Sequence, residues 1–223
     1  MATVLLDQEI EIPAIRNLAD FRRWALSGEF PERGRIDYIA GRIEVDMSPE
    51  DFFTHGTLKS HIAAEIVDRV QELDLGHTLI AETRISSVPG DVSAEPDVVV
   101  ITHGAFDSGR ASLVPKASGE PDRFVEVEGA PDLVVEIVSD SSVKKDTQRL
   151  PAAYFAAGVR EYWLVDARGE QLLFQIQGRG PRAFVPVAAD AAGFQRSEVL
   201  DAAYVLERSR HQRGHWIYRL RMK

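Results

Sequence analysis

The chain has no cysteine. That removes disulfides, thiol nucleophiles and thiolate metal sites, and fits a reducing cytoplasm. No apolar run approaches the roughly 20 residues of a membrane-spanning helix, so no membrane partner is expected. No secretory leader is expected either, because Met1 to Ile10 reads MATVLLDQEI and meets acids at once, without a basic start. Positive charge is scarce, with 26 lysines and arginines against 35 acids and a formal net charge of −9. This balance is awkward for a phosphate-binding protein, whose affinity is largely electrostatic. Distribution matters more than the total, however. Arg208 to Lys223 holds Arg208, Arg210, Arg213, Arg219, Arg221 and Lys223, with His211 and His215 and no acid. The stretch reads either as a phosphate-facing surface or as a solvated hairpin that balances acids elsewhere.

What the chain does have is enough apolar content, 44% beside 27% charged residues, to build a real core. The 223 residues read as a single domain. An N-terminal helix and β-hairpin arm reaches residue 50, a core spans 51–177, and a β-rich extension covers 178–223. Asn17 caps a short helix to Leu26. Arg35 to Met47 alternates around Ala40-Gly41 as a hairpin, with Glu44 and Asp46 at exposed positions. Asp51 to Leu73 reads as an amphipathic helix carrying Leu58, Ile62, Ile66 and Val70 on one face. Strands follow over Thr78–Ser86, Pro96–Ile101 and Pro131–Val138, with Gly104–Asp122 as a long loop between the last two. A helix ends at Ala157-Gly158, and Glu161–Asp166 pairs with Gln171–Gln177 across Arg168-Gly169. The order points to an α/β fold with a mixed central sheet flanked by helices.

Two acids stand where core strands seldom carry charge. Asp97 opens the apolar strand Pro-Asp-Val-Val-Val-Ile, and Glu136 lies inside Leu-Val-Val-Glu-Ile-Val. A buried ionised carboxylate is costly unless a cation or several donors compensate it. Asp97 alone could be a turn acid, and Glu136 alone a partner for Arg149 or Lys145. Together, on neighbouring strands, they describe an oxygen-ligand site for a hard cation such as Mg²⁺.

These residues resemble a known pattern. Pro96-Asp97, Pro131 to Ser139 with Glu136, Asp146, Tyr154 and Gly158-Val-Arg-Glu-Tyr-Trp-Leu-Val-Asp166 look like the restriction-endonuclease family of PD-(D/E)XK nucleases long catalogued as a domain of unknown function. Tyr38-Ile-Ala-Gly41, Met47-Ser-Pro49 and His55 agree with it, and the resemblance covers about residues 16 to 177. It implies a restriction-endonuclease-like core, Mg²⁺ (or Mn²⁺), and a nucleic-acid substrate, DNA, cut by a homodimer. Asp97 and Glu136 would be the metal ligands, with the Ile137 carbonyl beside them and His55 lining the site. Two departures stand out. The residue two beyond Glu136 is Val138, not lysine, and the position on the following helix where relatives carry a lysine is Leu150. Lys145 and Lys144 are the substitutes. Pro151 suits a first helical turn, so the helix is expected to start there and leave Lys145 on a connection facing Glu136. If neither lysine serves, the alternative is an inactive nuclease-fold module for nucleic-acid binding or oligomerisation.

Overall fold

The computed structural model describes residues 11–31 and 33–223. The N-terminal stretch read above for a leader, residues 1–10, lies outside the described residues. Helix α1 (Leu18–Ala25) starts where Asn17 accepts the Asp20 amide at 3.0 Å, the expected cap. It buries Leu18, Phe21 and Trp24 against Ile36 and Tyr38 of the hairpin. That hairpin, β1 (Arg35–Ile39) and β2 (Arg42–Asp46), turns at Ala40 and Gly41, with φ of 48° and 78°. Positive φ at both central residues is what a two-residue hairpin turn of this kind requires. The faces of β2 differ from the expected alternation. Glu44 and Asp46 are half-buried, because Glu44 accepts from Arg149 at 2.7 Å and Asp46 from Ser141 at 2.6 Å, while Val45 is 46% exposed.

Asp51 caps a π-helical turn, Phe52–Thr57, by accepting the Phe53 and Thr54 amides. The turn runs into α2 (Leu58–Glu72), whose Leu58, Ile62, Ile66 and Val70 face the core as their spacing requires. The strand expected over Thr78–Ser86 is two strands in different sheets, β3 (Gly76–Ile80) and β4 (Arg84–Ser87). Ala81 and Glu82 between them both adopt positive φ, and consecutive left-handed residues cannot continue a strand. Next come β5 (Val92–Ala94) and β6 (Val98–Thr102). The expected loop Gly104–Asp122 instead contains most of α3 (His103–Asp107) and all of β7 (Ala111–Pro115), which pairs with β8 (Phe124–Gly129). Strand β7 lies on a sheet edge with only Ala111 buried, so it carries little apolar periodicity.

After β9 (Leu133–Ile137) the chain is helical from Val143, not from Pro151. A π-helical turn, Lys145–Arg149, leads directly into α4 (Leu150–Ala157), which ends at Gly158 with φ 102°. The wider turn accommodates the proline: the Leu150 amide bonds the Lys145 carbonyl, and Pro151 has no N–H to offer the Asp146 carbonyl. The Tyr162 hydroxyl satisfies that carbonyl instead, at 2.7 Å.

Strands β10 (Glu161–Asp166), β11 (Leu173–Arg179), β12 (Phe184–Pro186), β13 (Gln195–Ser197), β14 (Ala202–Arg210) and β15 (Trp216–Met222) complete the chain. The central sheet has the order β12-β11-β10-β9-β6-β3, with β9 parallel to β10 and antiparallel to β6. A second sheet, β2-β1-β5-β4-β8-β7, is also mixed, and β13-β14-β15 forms a third. One face of the central sheet packs Val135, Ile137 and Trp163 on α2 and on Tyr204 and Leu220 of the third sheet. The other face presents Val134, Val138 and Leu164 to α4 and to Ile39 and Val92 of the second sheet. Because strand side chains alternate, Glu136 shares this second face with Val134 and Val138.

Candidate active site

The site forms between the central and second sheets. The β6–β9 register pairs Val98 with Val135, so one step further Asp97 stands opposite Glu136. Around them β1 supplies Arg35 and Asp37, the π-helical turn before α4 supplies Lys145 and Asp146, and the start of the long helix supplies His55 and Lys59. Asp37, Asp97, Glu136 and Asp146 are each 1% exposed.

Asp97 is richly held. Its Oδ2 accepts the Ile137 amide at 2.8 Å and lies 3.4 Å from His55 Nε2. Its Oδ1 accepts from Arg35 at 3.1 Å, with Lys59 Nζ at 3.6 Å. Burial alone would push this carboxyl up, but the His55 contact and the charges of Arg35, His55 and Lys59 outweigh it and hold it well below the usual range. Burial likewise opposes charge on Arg35 and His55. The Asp97 carboxylate prevails in both, and each is held above its ordinary value.

Glu136 is treated differently. The Tyr154 hydroxyl donates to Oε1 at 3.1 Å, while Oε2 is buried with no partner among the described residues. Burial first, then repulsion from Asp146 and Asp97, raises the Glu136 carboxyl well above its usual value. Asp146 is pushed up to about 7, mainly by burial, although Lys145 and a hydrogen bond from Ser142 pull it down. Its Oδ1 is also without a partner. Lys145 Nζ donates to Asp37 Oδ2 at 2.9 Å. Burial would lower the ammonium, but Asp37 and Glu136 keep it above its ordinary value.

A cleft of about 670 Å³ opens beside this cluster, lined by Arg35, Asp46, Glu50, His55, Glu95 and Ser139 among others. Asp97, Glu136 and Lys145 do not line it. Arg35 and His55, both in contact with Asp97, form the layer between cleft and cluster. Glu50, His55 and Asp97 also offer ligand atoms within 4.8 Å of one another.

Residues 18–207 match the family described as Uma2, putative restriction endonuclease. The chain belongs to the Uma2 family. Among solved structures it is similar to a crystal structure of a putative nuclease belonging to DUF820 from Anabaena variabilis, at 22% identity. That match covers 83% of this chain and 96% of the other, with a TM-score of 0.47. No curated protein matches the chain.

Of the residues singled out in this Uma2 sequence, Asp97, Glu136, Ile137, His55 and Lys145 meet in one cluster. Lys144 is exposed, and Leu150, the first residue of α4, is buried in the core. Lys145 reaches the acids, but its hydrogen bond goes to Asp37 rather than Glu136. Sequence reasoning passed over Arg35, Asp37, Lys59 and the burial of Asp146, and took Tyr154 only as part of the family pattern. Asp37 carried a usable signal, since Arg-Ile-Asp-Tyr-Ile is an apolar strand interrupted by an acid, as the Glu136 strand is. The residues fit a divalent cation. Glu136 Oε2 is a buried oxygen with no partner among the described residues, as is Asp146 Oδ1, and hard carboxylate oxygens are the donors such an ion takes.

Proposed function

We propose that this chain is a metal-dependent endonuclease that hydrolyses nucleic-acid phosphodiester bonds, with DNA as substrate and Mg²⁺ (or Mn²⁺) as the ion. The observation that carries the reading is Glu136, opposite Asp97 one step beyond the β6–β9 pairing, its Oε2 buried and without a partner among the described residues. Membership of the Uma2 family supports it. Asp97 and Glu136 hold the ion, and the Ile137 carbonyl adds a backbone oxygen. When bound, a divalent ion offsets charge developing on the phosphodiester and eases deprotonation of the attacking water.

The chain's own residues do the rest. Tyr154 fixes the orientation of Glu136 by donating to Oε1, which leaves Oε2 as the available oxygen. Lys145, anchored on Asp37, keeps a positive charge beside Glu136, where it orients the nucleophile and offsets charge on the phosphorane. Arg35 and His55 face the cleft and present positive charge to the incoming phosphate. Cutting both strands of a duplex needs two such sites, which a homodimer supplies by symmetry.

One observation favours the inactive module instead: both Asp97 oxygens already accept from protein donors, Arg35 and the Ile137 amide. Plasmid and single-stranded DNA incubated with Mg²⁺ or Mn²⁺ separates the two readings. Wild type should cleave, Asp97→Ala and Glu136→Ala should not, and Lys145→Ala should fall by about 100-fold or more. Equal nicking by all four proteins would mean contamination and sink the proposal. DNA binding without cleavage by wild type would select the inactive module.

A further inference from the structure

The basic C-terminal stretch takes no part in the cluster just described. It forms the β14–β15 hairpin, whose tip packs against the π-helical turn that carries His55. There His215 stacks on Phe53, with centroids 5.3 Å apart and planes 13° apart, and on His211 at 4.5 Å and 21°. Phe52 stands edge-on to Phe53 at 4.9 Å. Phe52 is 73% exposed and Phe53 37%, so two adjacent phenyl rings face water.

From Arg208 to the hairpin tip and on to Trp216 the only charged side chains are arginines. Arg210 lies over the Trp216 ring at 3.5 Å and is tied to the Gly214 carbonyl at 2.7 Å, and Arg213 is exposed at the tip. The acids nearest in sequence to the phenyl rings already have donors, Asp51 the Phe53 and Thr54 amides and Glu50 Lys59. Exposed rings near guanidinium groups suit a strand whose bases stack while its phosphates are neutralised. A closed duplex offers no free base face along its length.

We infer that Phe52, Phe53 and the hairpin tip form a stacking platform for an unpaired stretch of nucleic acid, with Arg210 and Arg213 taking its phosphates. This rests on the nuclease reading for its purpose. His55, two residues beyond Phe53 in the same helical turn, lines the cleft.

The test is equilibrium binding in EDTA, with the full chain and a deoxyoligonucleotide carrying 2-aminopurine, whose fluorescence is quenched on stacking, beside a matched duplex. Phe52→Ala should weaken single-strand binding about tenfold, abolish the quenching and leave duplex binding unchanged, while Phe52→Tyr retains both. Wild-type binding and quenching by Phe52→Ala would overturn the platform. So would an equal loss on single strand and duplex, or no single-strand binding by wild type. Cleavage with Mg²⁺, run in parallel, keeps the two proposals apart. Asp97-dependent cleavage with an unaffected Phe52→Ala removes the platform alone; Phe52-dependent binding without cleavage by wild type removes the nuclease reading alone.

Discussion

Asp146→Asn should make the metal-free protein more stable, and only above a definite pH. Asp146 is buried beside Glu136 and Asp97, and its carboxyl is raised from an ordinary 3.8 to about 7. In the unfolded chain the group loses its proton near pH 4, whereas in the folded protein it keeps it until about pH 7. The folded state therefore binds more protons across that window, and stability falls as pH rises through it. A displacement of this size corresponds to at most about 4 kcal/mol once the group is ionised. Asparagine imitates the protonated form and can still accept the Ser142 hydroxyl bond. The variant and wild type should thus match near pH 4, diverge between about pH 4 and pH 7, and differ most at pH 8. Thermal unfolding in EDTA reads this directly, since each kcal/mol moves the midpoint by about 2–4 °C in a chain of this size. Adding Mg²⁺ should narrow the gap at pH 8 by stabilising wild type. A pH-independent difference, or an asparagine variant less stable at pH 8, would refute the idea that burial beside these acids raises the Asp146 carboxyl.

Two further outcomes follow from individual contacts. Tyr154→Phe removes the donor on Glu136 Oε1, so divalent-ion affinity measured by calorimetry should weaken about 10- to 100-fold while the fold is kept; unchanged affinity would mean that Tyr154 does not position Glu136. Asp132 is fully buried and accepts from the Thr102 amide at 2.9 Å, from Arg110 at 2.6 Å and from Arg160 at 3.2 Å. Asp132→Ala should therefore cost about 1–3 kcal/mol in urea unfolding by stranding the buried Thr102 amide, and an unchanged stability would contradict that role.

Much of the fold was legible because local signals and tertiary packing agree. Asn17 caps α1, the Ala40-Gly41 turn closes a hairpin, and the four apolar positions of α2 face the core. The misreadings have separate physical causes. Strand β7 is an edge strand with almost nothing buried, so no apolar pattern marks it. Ala81 and Glu82 turn the chain between sheets with residue types that do not advertise positive φ. Pro151 read as a helix start, whereas a π-helical turn with an outside donor, Tyr162, lets the helix run through it. At the site, Asp97 and Glu136 stood out as acids within apolar strands. Arg35, Lys59 and the Asp37–Lys145 pair bring together residues 62, 38 and 108 positions apart, respectively, and periodicity carries no such information.

The central claim is that Asp97 and Glu136 share a divalent ion, and manganese located by anomalous scattering in a crystal soaked at neutral pH tests it most directly. The account predicts one peak bonded at about 2.0–2.6 Å to a carboxylate oxygen of each residue, with Glu136 Oε2 as one of them. Manganese held by Glu50 and His55 with Glu136 left unligated, or no site at this cluster, would contradict it.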